Sequence, residues 1–170
     1  MNDMECKIEL EKKFLTRYPK LNLIMEKYNP VKYEIEQIYL LSNEGSRRIR
    51  RRKAENKTVY IETVKVRING SKCYEYEREL SAEEYEQCKA DADPEKSPIY
   101  KERYVFPYKN KVMEMDVYPF WTDKAVLEIE LDSEEDEYFI PEEIKVLKDV
   151  SNSRKYKNAQ LAAALKNGEL

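Results

Sequence analysis

The chain has 170 residues, 38% of them charged, with a formal net charge of only −3 and no histidine. That length implies one domain over residues 1–170, able to bury about 70% of its unfolded surface. Near-balanced charge excludes a basic nucleic-acid arm, 14 tyrosines set in regular apolar alternation exclude disorder, and the lack of histidine excludes imidazole bases, histidine triads and histidine zinc sites.

The stretch Met1-Asn2-Asp3-Met4-Glu5 carries no apolar leader. No apolar run reaches the ~18 residues of a membrane span, so neither secretion nor a membrane partner is expected. Residues 6–15 read as a strand in which Glu9, Glu11 and Lys13 share one face and Ile8 and Leu10 the other. Tyr18 to Tyr28 reads as a helix ended by Asn29-Pro30. Strands follow at Tyr33–Leu41, Arg47–Lys53 and Thr58–Arg67, and Asn69-Gly70 turns the chain into another at Lys72–Leu80. Ser81-Ala82-Glu83-Glu84 has the capping-box pattern of a short helix reaching about Ala90. Ile99–Tyr108 and Lys111–Tyr118 form a hairpin around Lys109-Asn110, and Ala125–Leu131 is a further strand. Ser133-Glu134-Glu135-Asp136 predicts a second short helix, and Asn158 predicts the cap of a last one over Ala159–Lys166. Cys6, Cys73 and Cys88 have no metal-ligand spacing and are odd in number, which predicts free thiols in the cytoplasm.

Consecutive hairpin-linked strands predict a mainly β, α+β fold: a closed eight-stranded antiparallel barrel with short helices packed outside. The charges on single strand faces segregate by sign. Glu75, Glu77 and Glu79 share a face, as do Glu114 with Asp116 and Glu128 with Glu130; Arg48 pairs in parity with Arg50, Lys101 with Arg103, and Lys65 ends its strand. On any one strand a charged face is best read as solvated. Segregation across seven segments instead favours charges turned inward, with the apolar faces packed against the helices. A dry interior of that kind is prohibitively costly, so it must hold water, metal ions and a highly charged ligand. Carboxylates without His or Cys suit Mg²⁺ or Mn²⁺, and Arg and Lys suit phosphate oxygens. With three glycines in the chain there is no Gly-rich phosphate cradle, so side chains must grip the phosphates.

These residues, in this order, resemble the CYTH superfamily, the triphosphate tunnel metalloenzymes, and within it the short bacterial inorganic triphosphatases. The E-x-E-x-K signature is met by Glu9, Glu11 and Lys13, and the R-x-R pair by Arg48 and Arg50. Thr63-Val64-Lys65, Glu75-Tyr76-Glu77 and Lys101-x-Arg103-Tyr104 follow. The acidic strands match Glu114/Asp116 and Glu128/Glu130, and Arg154-Lys155-Tyr156-Lys157-Asn158 is similar to the C-terminal motif. The resemblance implies a metal-dependent triphosphatase splitting tripolyphosphate into pyrophosphate and phosphate. It assigns Glu9, Glu11, Glu128 and Glu130 to metal, with Glu75, Glu77 and Asp116 as further ligands or water-orienting groups. It assigns Lys13, Arg48, Arg50, Lys65, Lys101 and Arg103 to phosphate, has Lys155 reach into the tunnel, and suggests a Lys13–Tyr39 catalytic dyad. As one of fourteen tyrosines, Tyr39 reads equally well as a wall residue. Cys73 stands where relatives often carry an arginine. The same fold also hosts nucleoside and thiamine triphosphatases, class IV adenylate cyclases and non-catalytic polyphosphate or nucleotide sensors. The expected partner is a small triphosphate; the sequence leaves oligomeric state open, a homodimer included.

Overall fold

Strand β1 (Glu5–Arg17) closes the sheet on itself by using its two halves differently. The computed structural model describes residues 4–170, so the reading made of Met1, Asn2 and Asp3 lies outside it. After β1 come α1 (Leu21–Tyr28), β2 (Val31–Leu40), β3 (Ser46–Ala54), β4 (Lys57–Arg67) and β5 (Lys72–Leu80). Then follow α2 (Ala82–Cys88), β6 (Ile99–Tyr108), β7 (Lys111–Val117), β8 (Lys124–Glu130), β9 (Val146–Asp149) and α3 (Asn158–Lys166). All pairings are antiparallel, in the order β5-β4-β3-β2-β6-β7-β8-β1. Glu5 to Leu10 pair with β5 and Glu11 to Arg17 with β8, which completes the eight-stranded barrel. Among the described residues no helix is long and apolar enough to cross a membrane.

Alternation decides what each face meets. Leu10, Phe14, Phe106, Met113, Met115, Leu127 and Ile129 point outward and are covered by Ile24 of α1 and by Ile144. Ile38, Ile49 and Leu80 are covered by Tyr85 of α2. Leu15 and Val126 share the inner face with Lys13 and Glu128, and pack instead with Leu161 and Ala162 of α3 across one end of the barrel. The jacket is incomplete: over β1 and β5 the cross-strand partners Ile8 and Tyr74 remain 54% and 43% exposed.

The capping box forms as predicted, with Glu84 N–H donating to Ser81 Oγ (3.0 Å) and Ser81 N–H to Glu84 Oε2 (2.7 Å). The Asn69-Gly70 hairpin also forms, closed by Asn69 Oδ1, which accepts from Ser71 and Lys72 N–H (3.1 and 3.0 Å). The hairpin tip lies against the C-terminal segment, where Gly70 faces the exposed Asn152 side chain.

Three readings change. No helix follows Ser133: the Asp136 carboxylate folds back to accept from Asp132 N–H (2.6 Å), Ser133 Oγ and Lys111 Nζ (2.7 Å), so the segment turns. Asn158 does not cap α3; its Oδ1 accepts from Tyr118 OH (2.7 Å), and Lys157 holds the cap position. Strand β9 has exposed side chains throughout and so no alternation to read; it extends the β1 edge beyond the reach of β5.

Outside the barrel wall, Glu62 accepts from Arg47 Nε (2.7 Å) and Arg78 Nε (2.5 Å) and is almost wholly buried. Although burial opposes ionisation, the two guanidinium groups hold its carboxyl below the ordinary glutamate range. A depressed folded-state pKa stabilises the protein above the unfolded value and is lost as pH falls. Glu62→Gln is therefore expected to cost about 1–3 kcal/mol at neutral pH. In urea unfolding, the gap between wild type and variant should narrow as pH drops below about 4.5.

Candidate active site

The inner face of the barrel encloses a cavity of about 860 Å³. Its wall includes Glu9, Glu11, Lys13, Tyr39, Arg48, Arg50, Lys65, Glu75, Glu77, Arg103, Glu128 and Glu130, so the structure gathers these sequence-selected residues in one place. Thirteen basic side chains line it against eight acidic ones, in a chain whose net charge is −3. A second groove, of about 880 Å³, lies on the outer surface among Tyr18, Tyr60, Tyr100, Tyr118 and Trp121. Of the sequence-selected residues only Lys101 touches that groove.

Within the wall, ion pairs set the geometry. Lys65 Nζ lies 2.6 Å from Glu9 Oε1 and 3.2 Å from Glu75 Oε2. Against burial and the nearby Arg48, those carboxylates and Glu11 keep its ammonium charged above the ordinary lysine range. Lys13 Nζ lies 3.4 Å from Glu128 Oε1. Glu128 is held well below the ordinary carboxylate range, burial notwithstanding, by Lys13, Arg103 and Lys101. Arg103 donates to Asp116 through Nε (2.7 Å) and Nη2 (2.8 Å) and also bonds Glu114, while Lys101 Nζ closes on Asp116 Oδ2 (2.8 Å). Asp116 is fully buried and Lys101 nearly so, and neither lines the cavity. The two were expected at the metal and the phosphate; here they brace Arg103 from behind, because cations already occupy both Asp116 oxygens.

Two guanidinium Nε–H groups remain unpaired, although Arg50 Nη2 donates to Glu77 Oε2 (3.1 Å). Among the described residues, Arg48 Nε, Arg50 Nε and Gln37 Oε1 are the buried side-chain polar atoms without a hydrogen-bond partner. Burial, then the like charges of Arg48 and Arg103, pull Arg50 down to about 10. Buried donors in native proteins are almost always paired, so these point to an anion that completes them.

Tyr39 lines the cavity opposite its cross-strand partner Arg48, and its hydroxyl accepts from Gln37 Nε2 (2.7 Å). With its oxygen taken, the Tyr39 O–H is free to donate into the hollow, which its wall-residue reading does not require. Gln37 escaped sequence reasoning because a lone amide in a strand carries no signal. Ser151 escaped it too. Lys13 N–H donates to Ser151 Oγ (2.9 Å), Val150 N–H donates to Lys13 C=O (2.9 Å), and Ser151 OH donates to Asp149 Oδ1 (2.6 Å). The C-terminal segment thus carries the ladder on past β5 and fixes the backbone from which Lys13 projects. Cys73 is buried at the wall with its Sγ 3.9 Å from Glu9 Oε1 and supplies no positive charge.

Lys155 is a correction. It is exposed, stands over the Tyr156 ring, and does not reach the cavity; Arg154 and Lys157 do. The 3₁₀ turn Arg154–Tyr156 puts residues three apart on one side, so positions 154 and 157 face the hollow and 155 turns away. Burial, then Arg67 and Lys13, lower Lys157 to about 8.

Glu11 lines the cavity half-buried, and burial and the adjacent Glu128 push it up to about 8 in spite of Lys65 and Lys13. Among the described residues no three acidic side chains are drawn together tightly enough to hold an ion by themselves. That still fits Mg²⁺ or Mn²⁺, since a small hard cation is commonly held by one or two carboxylates, with phosphate oxygens and water filling the rest. Glu11, with Glu9 and Glu128 near it, could supply one or two such ligands.

No protein-family model matches the chain, and no curated protein does. Solved structures share its fold. The inorganic triphosphatase NE1496 is 22% identical, with a TM-score of 0.55 over 91% of this chain and 94% of that one. The PH1819 protein from Pyrococcus horikoshii OT3 is 17% identical, with a TM-score of 0.57 over 75% and 80%. HpAC1 from Hippeastrum, an adenylyl-cyclase candidate with dominant triphosphatase activity, is 14% identical, with a TM-score of 0.51 over 74% and 80%. At such identities the likeness establishes the fold, and it is the tunnel architecture implied by the resemblance to the CYTH superfamily.

The hold of Ser151 on Lys13 can be measured. Ser151→Ala strands a buried N–H and is expected to cost about 1–3 kcal/mol in urea unfolding. Ser151→Thr, which keeps the hydroxyl, should cost less than half as much.

Proposed function

We propose that this chain is a divalent-metal-dependent triphosphatase that hydrolyses inorganic tripolyphosphate inside its tunnel. The observation that carries the reading is the pair of buried, unpaired guanidinium N–H groups on Arg48 and Arg50, crowded by Arg103 in a hollow rich in basic groups. Positive charge so concentrated away from bulk water calls for a compact polyanion. Tripolyphosphate offers several negative charges along a narrow thread, with nothing bulky at either end. The fold shared with NE1496 and HpAC1, both described as having triphosphatase activity, supports the same reading.

Arg48 and Arg50 would grip phosphate oxygens through their free N–H groups, with Arg103 held in register by Asp116. Hydrolysis attaches a water oxygen to the terminal phosphorus and breaks the bond to the bridging oxygen, releasing pyrophosphate. Lys13 is kept charged, against burial, by Glu128 and Glu11, and it can neutralise the oxygen that departs. The Tyr39 O–H, freed by Gln37, can donate to a phosphoryl oxygen beside Arg48. Glu11, with Glu9 and Glu128, would hold Mg²⁺ or Mn²⁺, which when bound neutralises phosphoryl oxygens and lowers the pKa of a coordinated water. Preorganised charge of this kind acts on the transition state without solvent rearrangement.

The test is a substrate panel with Mg²⁺ or Mn²⁺, with products identified by phosphorus NMR. Tripolyphosphate should be turned over faster than ATP or thiamine triphosphate, yielding pyrophosphate and phosphate. Lys13→Ala and Arg50→Ala should each lose about 100-fold or more in kcat. Preference for a nucleotide, a cyclic product, or tight binding without turnover under either metal would each sink the proposal, as would wild-type phosphate release by Lys13→Ala.

A further inference from the structure

In an asparagine–glycine pair the glycine nitrogen can attack the asparagine side-chain amide, because glycine has no Cβ to shield that nitrogen or to restrict the turn toward it. The chain holds two such pairs, Asn69-Gly70 and Asn167-Gly168. Both asparagines are exposed, so access of water does not distinguish them. Their hydrogen bonds do. At the tip of the β4–β5 hairpin, Asn69 Oδ1 accepts from the N–H groups of Ser71 (3.1 Å) and Lys72 (3.0 Å). Arg67 Nη1 donates to the carbonyls of Asn69 (3.0 Å) and Gly70 (2.8 Å). Among the described residues neither Gly70 N–H nor Asn69 Nδ2 makes a hydrogen bond. At the end of α3 the arrangement is reversed. Gly168 N–H donates to Leu165 C=O (3.2 Å), and among the described residues the Asn167 side chain accepts from no N–H group.

Each contact in the hairpin assists one step of imide formation. The nucleophile is the Gly70 nitrogen, which must first lose its proton. Resonance spreads the charge left behind onto the Asn69 carbonyl oxygen, and the Arg67 guanidinium already bonds that oxygen. The nitrogen then attacks Asn69 Cγ, and Oδ1 takes up the negative charge of the tetrahedral adduct. Ser71 and Lys72 N–H groups are already in place on Oδ1, as paired backbone donors are in an oxyanion hole. Nδ2, free of other bonds, gains a proton and leaves as ammonia, which closes a five-membered imide. Water opens that ring at either carbonyl and leaves aspartate or isoaspartate at position 69. At Asn167 the proton of the nucleophile is tied to Leu165 and the side-chain oxygen has no such donors.

We infer that Asn69 is a self-modifying site, deamidated through a cyclic imide whose formation Arg67, Ser71 and Lys72 assist. The product places a new carboxylate beside Arg67, a cation that edges the cavity, so that part of the wall becomes less positive as the molecule ages.

Both asparagines can be followed in one sample. The full chain is held at neutral pH, folded and in urea, and mapped over time by peptide mass spectrometry with isoaspartate resolved by chromatography. In the folded chain Asn69 should convert about tenfold faster than Asn167, the worth of one charge-assisted hydrogen bond in a transition state. In urea Asn69 should slow and the two rates converge, because identical dipeptides have then lost their contacts. Arg67→Gln, shown to be folded by circular dichroism, should slow Asn69 about tenfold and leave Asn167 unchanged. Conversion of Asn167 as fast as Asn69 in the folded chain overturns the inference, as does faster loss of Asn69 in urea or an unchanged Asn69 rate in folded Arg67→Gln. Should that variant fail to fold, the two asparagines of the wild-type chain decide the matter by themselves.

Discussion

Arg103 grips Asp116 with two N–H groups and reaches Glu114 and Glu128, while Lys101 closes on Asp116 from behind. Removing Arg103 or Asp116 would take from a buried ion its main partner, a loss that typically reaches several kcal/mol. The knot also keeps the barrel hollow. Charged side chains linked in this way resist collapse into a dry core, and bringing the walls together would desolvate them further. The cavity is thus maintained by the expense of closing it, and the space left is polyanion-sized.

Everything outside the wall answers the same constraint. A strand has only two faces, so once the inner one is charged the outer one must carry the core. Met113, Met115, Leu127 and Ile129 are fully buried although they point away from the barrel axis. Helices α1 and α2 and the turns from 131 to 145 divide the covering among them, and α2 shields Ile38 and Ile49 with the Tyr85 ring. The covering ends at β1 and β5, where Ile8 and Tyr74 stand open. That edge is where the C-terminal segment takes over, and its contacts reach inward as far as the Lys13 backbone.

Strand parity made much of this legible in the residues. Each strand long enough to alternate was readable to within a few positions, because period-two patterning is local and repeats. The inner-wall residues were readable for the same reason: Glu9, Glu11, Lys13, Arg48, Arg50 and Glu128 share one parity with their neighbours. Features that depend on distant partners were not. Asp136 folds back on its own turn instead of supporting a helix; Asn158 turns to Tyr118 instead of capping α3; and β9, exposed on every residue, has no pattern to show. The exchange of Lys155 for Arg154 and Lys157 has the same origin, since a three-residue helical turn sets which side faces the hollow.

The sequence by itself determined which residues are ionised together on one face, and hence that an inward-charged barrel was the consistent solution. Local alternation is enough for that, because a side chain's face follows from its own position in the strand. Only the tertiary structure decided which charges neutralise one another and which are left over. Asp116 and Lys101 have the same parity as the cavity-lining residues and are paired with each other and with Arg103, whereas Arg48 and Arg50 each keep an unpaired Nε–H. Pairing depends on distances across strands far apart in the chain, and those distances exist only once the barrel has closed.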